Sequence, residues 1–132
     1  MRDGLLTIQT SVDGTENRFS TKAEMEISPL SAVLSYNDAD ANVTISLRGN
    51  EAVIERRGDY SMRLCLREGE DTDGTLSIAG SVGEVKIFTE RLAYSIRKNS
   101  ILLQMYYTLI FGEEKQNMRL RINASQSSLE ER

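Results

Sequence analysis

Arginine is the residue type in this sequence that is best suited to binding an anion. Arg56 stands beside a second arginine, Arg57, and a planar guanidinium can hold a carboxylate or a phosphate through two parallel hydrogen bonds. Strand alternation places Arg56 on the same side as the apolar Ala52 and Ile54. We therefore predict that Arg56 faces inward and anchors an anionic ligand. Further arginines gather near it if the strands pair as hairpins: Arg48, Arg63 and Arg67. The alternative is that these charges only coat a solvated face.

Tyrosine and methionine side chains could line a cavity for such a ligand. The longest apolar run, Ser100–Phe111, alternates strictly, so Met105 and Tyr107 share its wholly apolar side. Tyrosine offers a flat apolar surface and a hydroxyl group. We predict a ligand site formed by these residues: Arg56, Tyr107, Met105 and Tyr36. The alternative is that Tyr107 is a core residue whose hydroxyl bonds to the backbone.

A second basic group lies on the opposite face of the predicted strands. Arg119 and Arg121 alternate with apolar residues in the last strand and therefore point outward together. They form, with Arg97, a predicted patch for a protein partner or, less favoured, for RNA. The net charge of −4 argues against a general affinity for nucleic acid or anionic lipid.

The sequence lacks the residue types on which most catalytic and metal sites depend. It contains no histidine, which is the commonest general base and metal ligand. The lone Cys65 therefore has no histidine to activate its thiol. The acidic run 68–73 has enough oxygen ligands for Ca²⁺ but not the spacing of an EF-hand loop. We accordingly predict no catalysis, no metal and no cofactor.

Almost every segment of the chain alternates between apolar and polar residues, which is typical of strands with one buried face. Residues 68–74, the most polar stretch, are predicted to form a loop, and a bend is predicted between Gly80 and Gly83. Separate strands are predicted over residues 85–87 and 92–96. The whole pattern predicts about eight to ten strands.

Short connections between the strands favour antiparallel pairing of sequence neighbours. Closing such a sheet on itself removes exposed strand edges. We therefore predict an all-β, antiparallel closed barrel that spans residues 1–124 as a single domain. The polar residues 125–132 are predicted to form a flexible C-terminal tail.

Four short motifs follow one another over about residues 4–124. They are residues 54–58 with Ser61, Leu64 and Leu66; Gly83, Val85, Ile87, Thr89 and Leu92; Leu103, Tyr107 and Leu109; and Leu120 with Ile122. In this order and spacing they resemble the YwiB-like family (DUF1934), which comprises small bacterial proteins of unknown function. The resemblance implies a calycin-like, lipocalin-type antiparallel barrel and no established activity.

Two non-catalytic functions stay open from the sequence. The favoured one is a barrel that binds a small anionic or amphipathic molecule. The other is an interaction module with a filled core, which docks a protein through its outer face or forms a homodimer through strand edges. We predict no membrane association, because no segment is long and apolar enough to span a bilayer as a helix. The lone cysteine and the absence of a signal-like apolar segment predict a cytoplasmic protein.

Overall fold

The computed structural model describes residues 2–126 and consists of ten antiparallel strands. They are β1 (Arg2–Val12), β2 (Thr15–Ile27), β3 (Ser31–Asp38), β4 (Ala41–Arg48), β5 (Glu51–Arg57), β6 (Tyr60–Arg67), β7 (Asp71–Ile78), β8 (Ser81–Ile96), β9 (Ser100–Phe111) and β10 (Glu114–Gln126). Each strand pairs with its sequence neighbours, and β10 pairs with β1 to close the barrel. The predicted all-β, antiparallel closed barrel is thus confirmed. Among the described residues there is no helix that could cross a membrane.

Tight turns set the register between successive strands. Asp13 and Gly14, between β1 and β2, both have positive φ, at 50° and 89°. That combination is typical of a type I′ turn, whose twist matches the right-handed twist of the flanking strands. Val12 and Thr15 are consequently the first paired residues of the hairpin. At Gly74 in β7, an added Cβ would lie 2.6 Å from the Arg63 carbonyl oxygen, so this position needs glycine.

The interior of the barrel is filled by the side chains of alternate strand residues. This is what the alternating sequence pattern dictates, since one face of each strand leaves water. The largest side chains that are almost completely buried come from eight strands: Leu6, Met25, Leu34, Ile45, Leu47, Leu64, Leu66, Ile87, Ile101, Leu103, Met105 and Ile122. They belong to one continuous core, whose burial is the main favourable term in the stability of the fold.

The structure corrects three of the predicted boundaries. Residues 85–87 and 92–96 belong to one strand, β8, which is interrupted only by a register shift between Thr89 and Arg91. A β-bulge of this kind inserts one residue, so inward positions change from odd to even numbers without ending the strand. The predicted loop 68–74 stops at residue 70, because β7 begins at Asp71. The predicted bend at residues 80–83 is a turn at residues 79–80, and Gly83 lies within β8.

The predicted tail begins two residues too early. Ser125 and Gln126 belong to β10, where Ser125 pairs with Leu5 and Gln126 with Gly4. The pairing with β1 satisfies backbone groups that a free tail would leave to water. The remaining residues of the predicted tail, 127–132, lie outside the described residues.

Polar groups of the acidic segment hold one end of the barrel together. The Glu68 carboxylate accepts a hydrogen bond from the Leu92 amide at 2.9 Å. Beside it, the Gly69 amide donates to the Thr89 carbonyl at 2.7 Å. These bonds satisfy β8 backbone groups at and beyond the bulge, where β7 no longer pairs with it. The Glu68 carboxylate of this acidic segment therefore has a structural role.

Candidate functional site

Arg56 occupies the rim of the barrel and bonds to its own hairpin. Its guanidinium donates to the Tyr60 carbonyl at 2.8 Å and to the Asp59 carboxylate at 3.2 Å. The same group stacks on the Tyr60 ring, 3.8 Å from the ring centre. Its side chain is only 19% exposed. Arg56 thus faces the more apolar side, as its position in β5 indicated, but several of its contacts are internal to the protein.

We expect Arg56→Ala to destabilise the protein by about 1–3 kcal/mol, because it removes a charge-assisted hydrogen bond and a cation–π contact. The ion pair with Asp59 adds little, since that carboxylate is exposed. Urea unfolding of the variant measures the change. The matched control is Arg57→Ala, whose side chain is 79% exposed and which should change stability by less than about 0.5 kcal/mol. Equal stability of the two variants would contradict this role of Arg56.

The other predicted ligand residues lie in the core. Met105 is fully buried, and Tyr36 and Tyr107 are each about 6% exposed. The Tyr36 ring packs against Phe19 with ring centres 6.5 Å apart. Burial raises the pKa of the Tyr107 hydroxyl far above its ordinary value. The pKa of Tyr36 is raised by burial first, and then by the charges of Asp38 and Tyr107.

Only one of the three arginines predicted to gather near Arg56 lies beside it. Arg63 pairs with Glu55, the neighbour of Arg56, and its side chain is exposed. Arg48 and Arg67 end β4 and β6, which run antiparallel to β5. They therefore lie at the opposite end of the barrel from Arg56. Arg67 contacts Glu51 and Glu70, both at 3.4 Å. Hairpin pairing thus does not bring Arg48 and Arg67 to Arg56, because successive hairpin strands end at opposite rims of the barrel.

The predicted partner residues Arg119 and Arg121 do share one face, on the outside of β10. Strand pairing aligns them with outward residues of β1, β9 and β8 in three rows across the sheet. We call these twelve positions the outer strip. Its rows are Ser11, Arg119, Tyr106 and Arg91; Gln9, Arg121, Gln104 and Ala93; and Thr7, Asn123, Leu102 and Ser95.

A chain of contacts orders the basic half of the outer strip. The Arg91 Nε group donates to Gln104 Oε1 at 3.0 Å, and Gln104 Nε2 donates to the Tyr106 hydroxyl at 2.8 Å. The Arg119 guanidinium lies over the Tyr106 ring, 4.7 Å from its centre. Such contacts hold the guanidinium planes in place and lower the entropy that they lose on binding.

No carboxylate within residues 2–126 forms an ion pair with Arg91, Arg119 or Arg121. The outer strip contains no acidic residue of its own. Two depressions flank Arg121. One, of about 160 Å³, lies toward Gln9 and Arg119, and the other, of about 480 Å³, lies toward Leu102. The strip is thus a grooved surface that carries three positive charges.

Arg97, the third predicted partner residue, is not part of this strip. It lies in the turn between β8 and β9, and its amide bonds to the Ser100 carbonyl at 2.8 Å. The structure adds Arg91, Gln104 and Tyr106 to the patch, and none of these three was predicted from the sequence to belong to it. Arg91 was hidden by the bulge, although the change of inward positions from Thr89 to Leu92 signals it.

Cysteine and the acidic residues have local structural partners. The Cys65 thiol donates to Glu51 Oε2 at 3.3 Å. Burial first, and then the Glu51 carboxylate, raise the pKa of this thiol, which keeps it in the unreactive protonated form. The Asp73 carboxylate forms an ion pair with Lys86 at 2.8 Å, whereas the Glu68 carboxylate bonds to the Leu92 amide. In the part of the chain that the structure describes, no group of three or more Cys, Asp or Glu residues is placed to hold a metal ion.

The fold and the outer strip define a class of protein, the closed ten-stranded antiparallel barrel with a basic strip on its outer face. The family model for the Domain of unknown function (DUF1934) matches residues 6–122. The chain therefore belongs to the DUF1934 family, and the resemblance seen in the sequence is confirmed.

A solved structure has the same fold. The chain is similar to the crystal structure of the ywiB protein from Bacillus subtilis, with a TM-score of 0.80 and 16% sequence identity. The match covers 96% of this chain and 93% of that one. At this level of identity the likeness shows the fold alone. A search of curated proteins found no match.

Proposed function

We propose that the protein is a non-catalytic interaction module whose outer strip docks an extended acidic segment of a partner protein. One observation carries the proposal, which is that three guanidiniums share a grooved face without an ion-pair partner among residues 2–126. This occurs in a protein whose net charge is −4. Complementary charge of this kind steers a partner and fixes its orientation.

The size and composition of the outer strip fit a peptide. Four strands at about 4.8 Å spacing and five residues at about 3.3 Å rise give a face of about 14 by 13 Å. That length accommodates about four extended residues. Arginine and tyrosine are enriched at protein interfaces, whereas the exposed Leu102 offers a contact for an apolar side chain.

A small ligand held inside the barrel is the weaker alternative. Its predicted anion anchor, Arg56, already binds the Tyr60 carbonyl and Asp59, so an anion would have to displace internal contacts. Its predicted lining, Met105 and Tyr107, is packed into the continuous core. RNA is also weaker, because a protein that neutralises a phosphate backbone is ordinarily basic overall.

Fluorescence anisotropy with defined probes tests the proposal. The probes are a labelled peptide rich in Glu and Asp, a matched peptide rich in Lys, and a single-stranded oligo-U RNA. We expect the acidic peptide to bind, and the double variant Arg119→Glu/Arg121→Glu to weaken its binding at least about tenfold, since each reversal replaces attraction by repulsion. The charge control, Arg57→Glu, lies outside the outer strip and should retain the affinity within about twofold.

Other results would separate the alternatives. Binding of oligo-U that is lost in Tyr106→Ala would favour RNA, because bases stack on aromatic rings. No binding of the acidic peptide, or equal binding by the double variant and the Arg57→Glu control, would refute the acidic-segment proposal. Arg97→Glu should weaken binding less than the double variant, because Arg97 lies in the β8–β9 turn beyond the last row of the strip.

Two further assignments belong to this proposal. The up-and-down closure of the barrel supports a calycin-like, lipocalin-type architecture with the core filled. The free thiol of Cys65 supports a reducing compartment such as the bacterial cytoplasm as the place where the protein meets its partner.

A further inference from the structure

The N-terminal half of β2 has a free backbone edge. β2 pairs with β1 from Thr15 to Met25, but it pairs with β3 only from Ala23 to Ile27. Residues 15–20 therefore have a strand partner on one side only. An unpaired edge of this kind is a template for another strand.

Turn geometry determines which groups this edge presents. The type I′ turn at Asp13 and Gly14 makes Val12 and Thr15 a hydrogen-bonded pair. Hydrogen-bonded and non-bonded pairs alternate along an antiparallel ladder. The amide and carbonyl groups of Glu16, Arg18 and Ser20 consequently point away from β1, toward the free edge. There the Arg18 amide donates to Asn17 Oδ1 at 3.0 Å, so a strand that pairs with this edge exchanges that side-chain bond for a backbone bond.

We infer that a second copy of this chain occupies that edge, with β2 pairing antiparallel to β2 of its partner about a two-fold axis at Asn17. In this register Glu16 lies opposite Arg18 of the partner subunit, and Arg18 opposite Glu16 of the partner subunit. Both side chains are exposed, and opposite charges directly across a strand pair are stabilising. An isologous contact of this type repeats every interaction twice.

Neighbouring registers are disfavoured by the same charges. Edge-facing groups can pair only with edge-facing groups, so the axis moves in steps of one residue. An axis at Arg18 would place two arginines opposite each other, and an axis at Glu16 would do the same with two glutamates. An axis nearer to Ala23 would collide with β3, which pairs there. Charges on a strand edge usually prevent association. Here Glu16 and Arg18 favour it, because opposite charges face each other when the axis lies at Asn17.

The dimer extends the outer strip. Antiparallel pairing about an axis perpendicular to the sheet leaves the same face of both copies on one side. Glu16 and Arg18 are opposite Ser11 and Gln9 of the outer strip, so the strips of two copies become one surface. Glu16 also lines the depression beside Arg119 and Arg121, whereas Arg18 does not. The variant Arg18→Glu therefore tests the dimer separately from the acidic-segment proposal.

Sedimentation velocity over a concentration series tests the dimer, with native mass spectrometry as a second measurement. We expect the wild-type protein to dimerise, and Glu16→Arg and Arg18→Glu each to weaken dimerisation at least about tenfold, since each replaces two attractive pairs by two repulsive ones. Mixing the Glu16→Arg chain with the Arg18→Glu chain should restore association, because every 16–18 pair is again opposite in charge.

The control is Glu24→Arg, an exposed residue of β2 that pairs with Ser35 of β3. This variant should dimerise like the wild-type protein. Slower hydrogen exchange at the amide of Glu16 in concentrated wild-type protein is also expected. A monomer at all concentrations, an unchanged dimer in Arg18→Glu, or failure of the mixed variants to associate would each overturn the inference.

Discussion

Raising the pH above about 10 is expected to destabilise this protein steeply, because the buried Tyr36 and Tyr107 stay protonated in the folded state but ionise when unfolding exposes them. Burial raises the pKa of both hydroxyl groups in the folded state above the ordinary tyrosine value of 10.0. In the unfolded chain they ionise near that ordinary value. The folded state therefore holds more protons than the unfolded state at alkaline pH, and stability falls as the pH rises.

The expected slope follows from the number of protons. Each tyrosine that stays protonated only in the folded state lowers the free energy of unfolding by about 1.4 kcal/mol per pH unit. The stability that the two groups contribute is fully present below about pH 10 and is lost as the pH rises toward their folded-state pKa values. Two pH units could thus remove a large part of the 5–15 kcal/mol that is typical of a domain (about 3 kcal/mol for each tyrosine).

Urea unfolding at a series of alkaline pH values measures this slope. Tyr107→Phe should reduce it by about half, and Tyr36→Phe/Tyr107→Phe should remove the tyrosine part altogether, since phenylalanine has no ionisable group. Ionisation of the remaining groups is common to all three proteins and cancels in the comparison. Identical slopes in the wild-type protein and the double variant would show that neither hydroxyl is shielded from water.

The barrel could be predicted from the sequence because its cause is local. Apolar residues at every second position, as in Ser100–Phe111, fix which face of a strand is buried, and pairs such as Asp13 and Gly14 fix where the hairpins turn. These signals need no information about distant parts of the chain. Inward positions such as Met105 and Tyr107 followed from the same rule and are confirmed as buried.

Boundaries failed where a distant contact decides the structure. Residues 71–74 read as a polar loop, yet Thr72 is buried, and its hydroxyl donates to the Cys65 carbonyl. The opposite strand β6 supplies that partner, and its effect is absent from the local pattern. The bulge in β8 has the same character, because the β6–β7 turn binds the Thr89 backbone. Tertiary contacts override local preference at such points.

The candidate site was only partly predictable for a related reason. Alternation placed Arg119 and Arg121 together, because they lie two residues apart on one strand. Their neighbours Tyr106 and Arg91 come from β9 and β8 and depend on the exact pairing register. Register is set by the closed barrel as a whole, including one inserted residue. The alternation within one strand therefore predicts the two arginines on β10, but not the residues that the neighbouring strands place beside them.

Met105→Ala is expected to lower the free energy of unfolding by about 2–5 kcal/mol, because Met105 is fully buried in the continuous core and its removal leaves a cavity. Urea unfolding measures the loss. The control on the same strand is Leu102→Ala, which shortens an outward side chain that is 46% exposed. That control should change stability by less than about 1 kcal/mol.

The same variant distinguishes a filled barrel from a ligand-binding one. If the interior is packed, the space left by Met105 is dry and apolar, and benzene should stabilise Met105→Ala but not the wild-type protein. If Met105 instead lines a cavity that a ligand normally enters, its truncation removes few contacts, and the loss should fall below about 1 kcal/mol. In that case benzene would stabilise both proteins. That second pattern would favour the small-ligand function over docking at the outer strip.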